Sequence, residues 1–334
     1  ADPGPACYAK GGKNPTITDA NLILGRLNPD YFLGGKLKLD VKLAKSAFES
    51  LTDKLNMDTV KVAEGITRIA NTTMIRGLRR VSVEKGYDLR DFHLVAYGGA
   101  APIEACNIAN EVGIKEIVIP LVPGLFSALG FLVTNLEHHY SQTLIQSFKE
   151  LSIQDVENKY NELEQKALDQ LKADNIPDQD IQLIRSMDVR YAGQGFELAV
   201  PVNKNLKDTD IDSLGKSFNN IHKIRYGYNI ENEPLEVVNL RLVGIGKIIP
   251  PKFNFEKELE YSSQDYVKSE RDVFFSDVGW IKSLIYERDT LKSGIKINGP
   301  AIIEEIDSTI IVNPNYVAHI DGYKNVIIKK VVNN

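Results

Sequence analysis

The sequence predicts an α/β fold over residues 1–140 and an α+β domain with a β-rich end over residues 141–334. Three observations point there. Residues 92–119 read as strand, glycine turn, helix and strand, the pattern of a parallel βαβ crossover. Long segments on either side carry apolar residues at helical spacing. From residue 272 onward, short runs rich in Ile, Val and Tyr alternate with turn residues, which reads as a succession of strands.

Taken in order, residues 17–27 predict a short helix with Thr18 or Asp19 as its N-cap. Residues 41–54 follow with Val41, Leu43, Ala44, Ala47, Phe48 and Leu51 on one face. A longer helix is expected over 58–85, its last turns carrying Arg76, Arg79, Arg80 and Lys85, where cations suit the helix dipole. Residues 92–97 form a strand, Gly98-Gly99 the turn, and 101–112 a helix with Pro102 near its start. Gly113 stops that helix, 115–119 is the next strand, and Pro120 ends it. The apolar stretch 121–134 reads as a buried turn and helix. After a change of composition near 140–150 come a charged amphipathic helix at 153–173, strands at 183–190 and 196–202, a helix at 209–226 and a strand at 235–248. Pro250-Pro251 break the chain. Strands are then expected at 272–276, 281–286, 300–305, 308–312, 316–320 and 325–331.

The composition excludes several classes. Of 334 residues, 43% are hydrophobic and 25% charged, as in ordinary globular proteins and unlike disordered or collagenous chains. Lys and Arg number 40 against 45 Asp and Glu, a net charge of −5. No basic excess is available to follow phosphates, so nucleic acid is not an expected partner. No apolar run reaches the ~18 residues of a membrane span, so no membrane role is expected. The two cysteines, Cys7 and Cys106, suggest reduced thiols in a cytoplasm rather than a disulfide framework. No secretory leader is read at the start.

Three groups of residues could carry chemistry. The Gly98-Gly99 turn opens a helix, where backbone N–H groups and the helix dipole favour anions or polar rings. It is neither GxGxxG nor a Walker loop, and a tight structural turn is the plain alternative. The N-terminal loop gathers Cys7, Tyr8, Thr16, Thr18 and Asp19 within a Gly- and Pro-rich stretch. Cys and Asp are both metal-ligand types, though Asp19 also reads as a helix cap and Cys7 as a packed thiol. His138-His139 could ligate metal or relay protons. On a strand they face opposite ways, so one at most points into a site. His93, His222 and His319 read as structural.

These residues also resemble a family. The runs DPGPACYAKGGKNPTITDANLILGRLNPDYFLGG (2–35) and FHLVAYGGAAPIEACNIANEVGIKEIVIPLVPGLFSALG (92–130) are similar to the hydantoinase A/5-oxoprolinase family. Shorter blocks, RYAGQGFELAVPV (190–202) and GPAIIEEIDSTIIVNPN (299–315), extend the resemblance over nearly the whole chain. The family includes ATP-dependent N-methylhydantoinase and acetone carboxylase subunits. The resemblance implies an actin-like ATPase fold of the ribonuclease H type, with ATP and Mg²⁺ as cofactors. It places Gly98, Gly99 and Ala100 on the adenosine side of the nucleotide. It also implies that the chain corresponds to the C-terminal half of a longer protein. The phosphate loops would then lie on a companion chain or N-terminal half, with a hydantoinase B-type subunit as further partner and a small cyclic amide or ketone as substrate. Cys7, Asp19 and His138 or His139 form a candidate metal set, with Zn²⁺ as the candidate ion. Two positions depart from the family pattern: Ala101 stands for Gly and Glu104 for His. The alternative function is a non-catalytic assembly module of a multisubunit complex.

Overall fold

A computed structural model describes residues 2–207, 210–230 and 232–331. The chain divides into two compact units. One is built from Ala1–Leu129 together with Lys252–Asn334, the other from Gly130–Pro251. The expected division at residue 140 therefore does not coincide with the compact units, because the last strands return to the first unit. Non-local strand pairing of this kind leaves no local mark in the sequence.

In the first unit, α1 (Ile17–Ile23), α2 (Val41–Leu55) and α3 (Thr59–Val81) precede β1 (Leu94–Val95), α4 (Ala101–Val112) and β2 (Glu116–Ile119). The expected βαβ crossover is present, with β1 and β2 parallel. Helix α1 is shorter than predicted, and its N-cap is Thr16, not Thr18 or Asp19. Asp19 is the third residue of a capping box, with its N–H on Thr16 Oγ1 and its carboxylate on the Thr16 N–H. α5 (Phe126–Val133) follows, and it corrects the sequence reading: none of its residues is buried. Phe131 is 79% exposed and Leu132 60%. A segment apolar on every side reads as interior, yet α5 is only partly covered, with Phe126 packed on the Tyr97 ring.

The second unit holds β3 (Leu136–Ser147), α6 (Ile153–Ala173), β4 (Ile181–Tyr191), β5 (Leu198–Val202), α7 (Asp210–Tyr226) and β6 (Leu235–Gly246). The predicted start of α7, residue 209, lies outside the described residues. The strands form an antiparallel sheet in the order β3-β6-β4-β5. Strand β3 was not legible because its half-buried positions include His138 and Gln142, so no apolar alternation results. Buried Tyr160, Leu163, Phe218, Met187 and Leu240 fill the core between this sheet and its helices.

The chain then returns to the first unit as β7 (Val267–Phe275), β8 (Gly279–Glu287), β9 (Lys296–Asn298), β10 (Ala301–Glu304), β11 (Thr309–Val312), β12 (Tyr316–Ile320) and β13 (Val326–Lys330). One sheet runs β1-β2-β13-β12-β9 and another β11-β10-β8-β7. β13 pairs antiparallel with both β2 and β12, which binds the chain's end to the crossover. Buried side chains of α4, β2, β10 and β11 share one core. Phe48, Leu24 and Val62 of the first helices share another with Val273, Ile285 and Ile302. Among the described residues no helix is long and apolar enough to cross a membrane.

Gly25 shows how closely the two segments of the first unit meet. Its φ is +74°, and a Cβ there would collide with the Asp272 carbonyl oxygen. Arg271 Nε donates to the Gly25 carbonyl at 2.8 Å, and the Phe274 N–H to the Leu24 carbonyl at 2.9 Å. Gly25→Ala combines left-handed strain with overpacking and should cost roughly 3 kcal/mol or more, read as a lower urea midpoint. An unchanged midpoint would contradict this packing.

Candidate functional site

The Gly98-Gly99 turn lies on the wall of a cleft of about 420 Å³, wholly within the first unit. Gly98 adopts φ +88°, a left-handed conformation that glycine reaches without steric cost. Its N–H donates to the Pro123 carbonyl at 2.7 Å, and Ser308 Oγ donates to its carbonyl at 3.3 Å. Gly99 is constrained by space instead: a Cβ would stand 3.2 Å from the Asp307 carbonyl oxygen. Ala100 is the N-cap of α4 and offers no capping side chain. The head of the helix therefore meets the cleft with backbone alone.

Opposite lies the N-terminal block. Tyr8 and Phe32 stack with ring centroids 5.6 Å apart, and both line the cleft with Ile17, Leu27 and Ile103. Asn21 and Asn28 add amides. The third wall is the turn between β10 and β11, from Glu304 to Thr309. Among the described lining residues there are three acids, Glu304, Glu305 and Asp307, and no Lys or Arg.

The acids differ in their surroundings. Glu304 is buried and accepts from Arg271 at 3.0 Å, Lys268 at 3.1 Å and Asn28 Nδ2 at 3.0 Å. Asp307 packs its carboxylate against Gly124, where no side chain would fit. Glu305 pairs with Arg288 Nη1 at 3.0 Å. Burial nonetheless pushes its carboxyl up to about 7; Arg288 opposes the shift, while Asp307 and Asp289 add to it.

The cleft rests on a buried ion pair. Arg26 Nη1 donates to Glu104 Oε1 at 2.8 Å and to Asn21 Oδ1 at 2.9 Å. Asn71 and Asn107 donate to the other Glu104 oxygen at 2.9 and 3.0 Å. Burial pulls the Arg26 pKa down, and Glu104 works against that pull. Glu104, where the family pattern has His, is thus a buried counter-ion. Arg26, Arg288 and Glu305 were not singled out from the sequence. The available signal was the acidic pair Glu304-Glu305 inside the apolar run from Ala301 to Val312. Arg26 and Asn71 also line a second, polar cleft of about 580 Å³, where Asn313 Nδ2 donates to Asn107 Oδ1 at 2.7 Å.

The N-terminal cluster is arranged differently from the expected metal set. Cys7 and Asp19 do meet, but through the Cys7 backbone N–H, which donates to Asp19 Oδ1 at 2.8 Å. Asp19 Oδ2 accepts from the Ala6 N–H at 3.2 Å, the Thr16 N–H at 3.0 Å and Thr16 Oγ1 at 2.7 Å. The carboxylate is thereby committed to folding the loop. Burial, then Asp19, pushes the Cys7 thiol well above its ordinary range, away from the thiolate that a metal requires. His138 belongs to the second unit and sits 2.6 Å from Asp174, while exposed His139 lies 3.4 Å from Glu137. Among the described residues no group of three or more His, Cys, Asp and Glu is gathered to hold a metal ion. These residues therefore do not fit zinc, and no step is derived through it.

Glu305 should leave a mark on stability. Its folded pKa lies above the ordinary carboxylate value of 4.5. Its favourable contribution is complete below about pH 4.5 and is lost as pH rises through about 7. Wild type should therefore lose up to roughly 3 kcal/mol relative to Glu305→Gln between pH 4.5 and pH 7.5. Urea unfolding across that range checks it; parallel pH profiles would contradict the assignment.

Residues 1–140 match the family model described as hydantoinase/oxoprolinase, and residues 145–331 match the hydantoinase/oxoprolinase C-terminal domain. An uncharacterized protein of Methanocaldococcus jannaschii is 40% identical over 323 residues, covering 97% of this chain and 46% of the relative. The caprolactamase subunit alpha of Pseudomonas jessenii is 32% identical over 327 residues, covering 96% of this chain and 47% of its own. A nucleotide-free acetone carboxylase, whose structure concerns ATP-dependent acetone carboxylation, superposes with a TM-score of 0.82 at 24% identity, covering 98% of this chain and 48% of that one. At that identity the likeness bears on the fold alone. The chain spans about half the length of these relatives.

Proposed function

The chain belongs to the hydantoinase/oxoprolinase family, and from that premise we propose that it forms the adenosine side of the nucleotide site in an ATP-dependent amidohydrolase or carboxylase. The observation that carries this reading is the cleft in which the Gly98–Ala100 turn, heading α4, faces the Tyr8–Phe32 block. Its apolar walls, amides and uncapped helix head suit a neutral nucleoside. Its three acids and lack of lining cations do not suit a triphosphate. Tyr8, Phe32 and Ile103 would hold the base, while the backbone at Gly98, Gly99 and Ala100 would allow close approach.

When bound, ATP supplies a phosphoryl group that turns an amide or ketone oxygen into a better leaving group. Stabilising charge at that end takes cations, which this cleft lacks. We therefore assign the phosphate contacts and Mg²⁺ to a companion segment or chain. The exposed apolar helix α5 supports a partner surface of this kind. A hydantoinase B-type subunit and a small cyclic amide or ketone substrate complete the proposal.

Two outcomes follow. The 334-residue chain on its own should turn over no ATP, because the cleft beside Gly99 presents no lining cation among the described residues; steady turnover by the pure chain would overturn the reading. In the complete enzyme, Gly99→Val should weaken ADP binding at least tenfold, since the added side chain crowds the Asp307 carbonyl and enters the cleft. Calorimetric titration checks this, and an unchanged Kd in a folded variant would make the turn purely structural.

A further inference from the structure

Of the three acids in the cleft, Glu304 has both oxygens engaged by donors, Asp307 accepts no hydrogen bond from the described residues, and Glu305 alone is oriented by a donor on one oxygen while the other stays free. Arg288 Nη1 takes Oε1 at 3.0 Å. Oε2 accepts from no described residue, although the side chain is only 10% exposed. Arg288 is itself fixed: its Nη2 donates to the carbonyls of Pro120 at 2.7 Å, Lys324 at 3.2 Å and Ile119 at 3.4 Å. The end of β2 and the turn before β13 thus hold the guanidinium, and the guanidinium holds Glu305. The result is an oriented acceptor on the cleft wall with no protein donor, reachable by solvent or by an occupant.

An occupant with a hydroxyl or amino group at that point finds an acceptor already held in place by Arg288. An anionic oxygen would instead face both Glu305 and Asp307. We propose that Glu305 is a specificity-determining residue of the cleft: as a carboxylate, its free oxygen accepts a hydrogen bond from a hydroxyl or amino donor of the bound nucleoside. This inference rests on the nucleotide reading of the cleft. It orients the occupant, turning a donor-bearing edge toward the β10–β11 turn and the phosphates away from it.

Proton linkage follows from the same geometry. The charged groups facing Glu305 are Arg288 and Asp289, which follow β8, and Asp307 on its own turn; burial outweighs Arg288 and holds the carboxyl near 7. With Arg288 on Oε1, protonation falls on the free oxygen, making it a donor and a poorer acceptor. Affinity is therefore reduced by the carboxylate fraction as pH falls below 7, and binding there releases a proton.

The test is calorimetric titration of ADP into the complete protein, wild type and Glu305→Gln, at pH 8 and pH 6. Comparison with the variant cancels titration of the nucleotide's own phosphates. At pH 8 the wild type should bind about tenfold tighter than Glu305→Gln, and at pH 6 the two should agree within about twofold. Wild type at pH 6 should also release a proton on binding adenosine, which carries no phosphate of its own, read by repeating that titration in buffers of different ionisation enthalpy; this stands even if the variant fails to fold. A wild-type advantage equal at both pH values, or absence of proton release, overturns the proposal. The 2′-deoxy and 3′-deoxy analogues of ADP and the diphosphate of purine riboside then identify the donor. The advantage should vanish for one of the three, and its retention by all of them overturns the proposal. ADP bound without pH dependence defeats the role of Glu305 alone, whereas no ADP binding at either pH defeats the reading of the cleft and this inference with it.

Discussion

The buried pair of Arg26 and Glu104 is the contact on which the first unit turns. It joins the segment after α1 to the first turn of α4, and through Asn71 it reaches the middle of α3. Both side chains are at least 95% buried. Removing one partner from such a pair strands a charge in a low-dielectric interior and costs about 3–5 kcal/mol. Every hydrogen bond to Glu104 comes from a different element or a different turn, so the pair sets the angle between the three helices as well as their distance. The floor of the cleft inherits that rigidity, because Asn21 and Ile103 line it directly beside the pair.

Around this anchor the cleft is made of three separate stretches of chain, each stiffened by its own means. A carboxylate, Asp19, closes the N-terminal loop by gathering backbone N–H groups from Ala6, Cys7 and Thr16. A left-handed glycine, Gly98, sets the turn before α4. A buried arginine, Arg288, steadies the β10–β11 turn. None of these groups is free to act as a metal ligand or nucleophile, since each is already spent on backbone or counter-ion. What remains open to a ligand is the apolar wall, two amides, the helix head, the Asp307 carboxylate and one oxygen of Glu305. That inventory belongs to binding and positioning.

The local part of this architecture was legible. Helical spacing placed α2, α3 and α6, and the glycine turn placed the parallel crossover that became β1, α4 and β2. The Gly98-Gly99 turn was legible as backbone geometry because glycine before a helix has a conformational meaning that survives without tertiary context. Tertiary contacts hid the rest. Cys7 and Asp19 were correctly placed together, but a sequence cannot say that the carboxylate reaches the Cys7 N–H instead of a metal. The left-handed residue is Gly98, while Gly99 is limited by the Asp307 carbonyl some two hundred residues away in the chain. Arg26 and Glu104 are 78 residues apart, so neither announced its partner. Strand β3 escaped notice because His138, Gln142 and Gln146 interrupt the apolar residues at its inward positions, and α5 misled because apolar character does not by itself mark a core.

Photoaffinity labelling with an azido-adenine nucleotide addresses the adenosine assignment most directly, since it reports where the base lies independently of turnover. On the complete protein, competed by unmodified ADP, label should fall on peptides carrying Tyr8 to Phe32 and Gly98 to Ile103, which form facing walls of the cleft. Competable label confined to the second unit, or to residues bordering the polar cleft of Asn71 and Asn313, would contradict it.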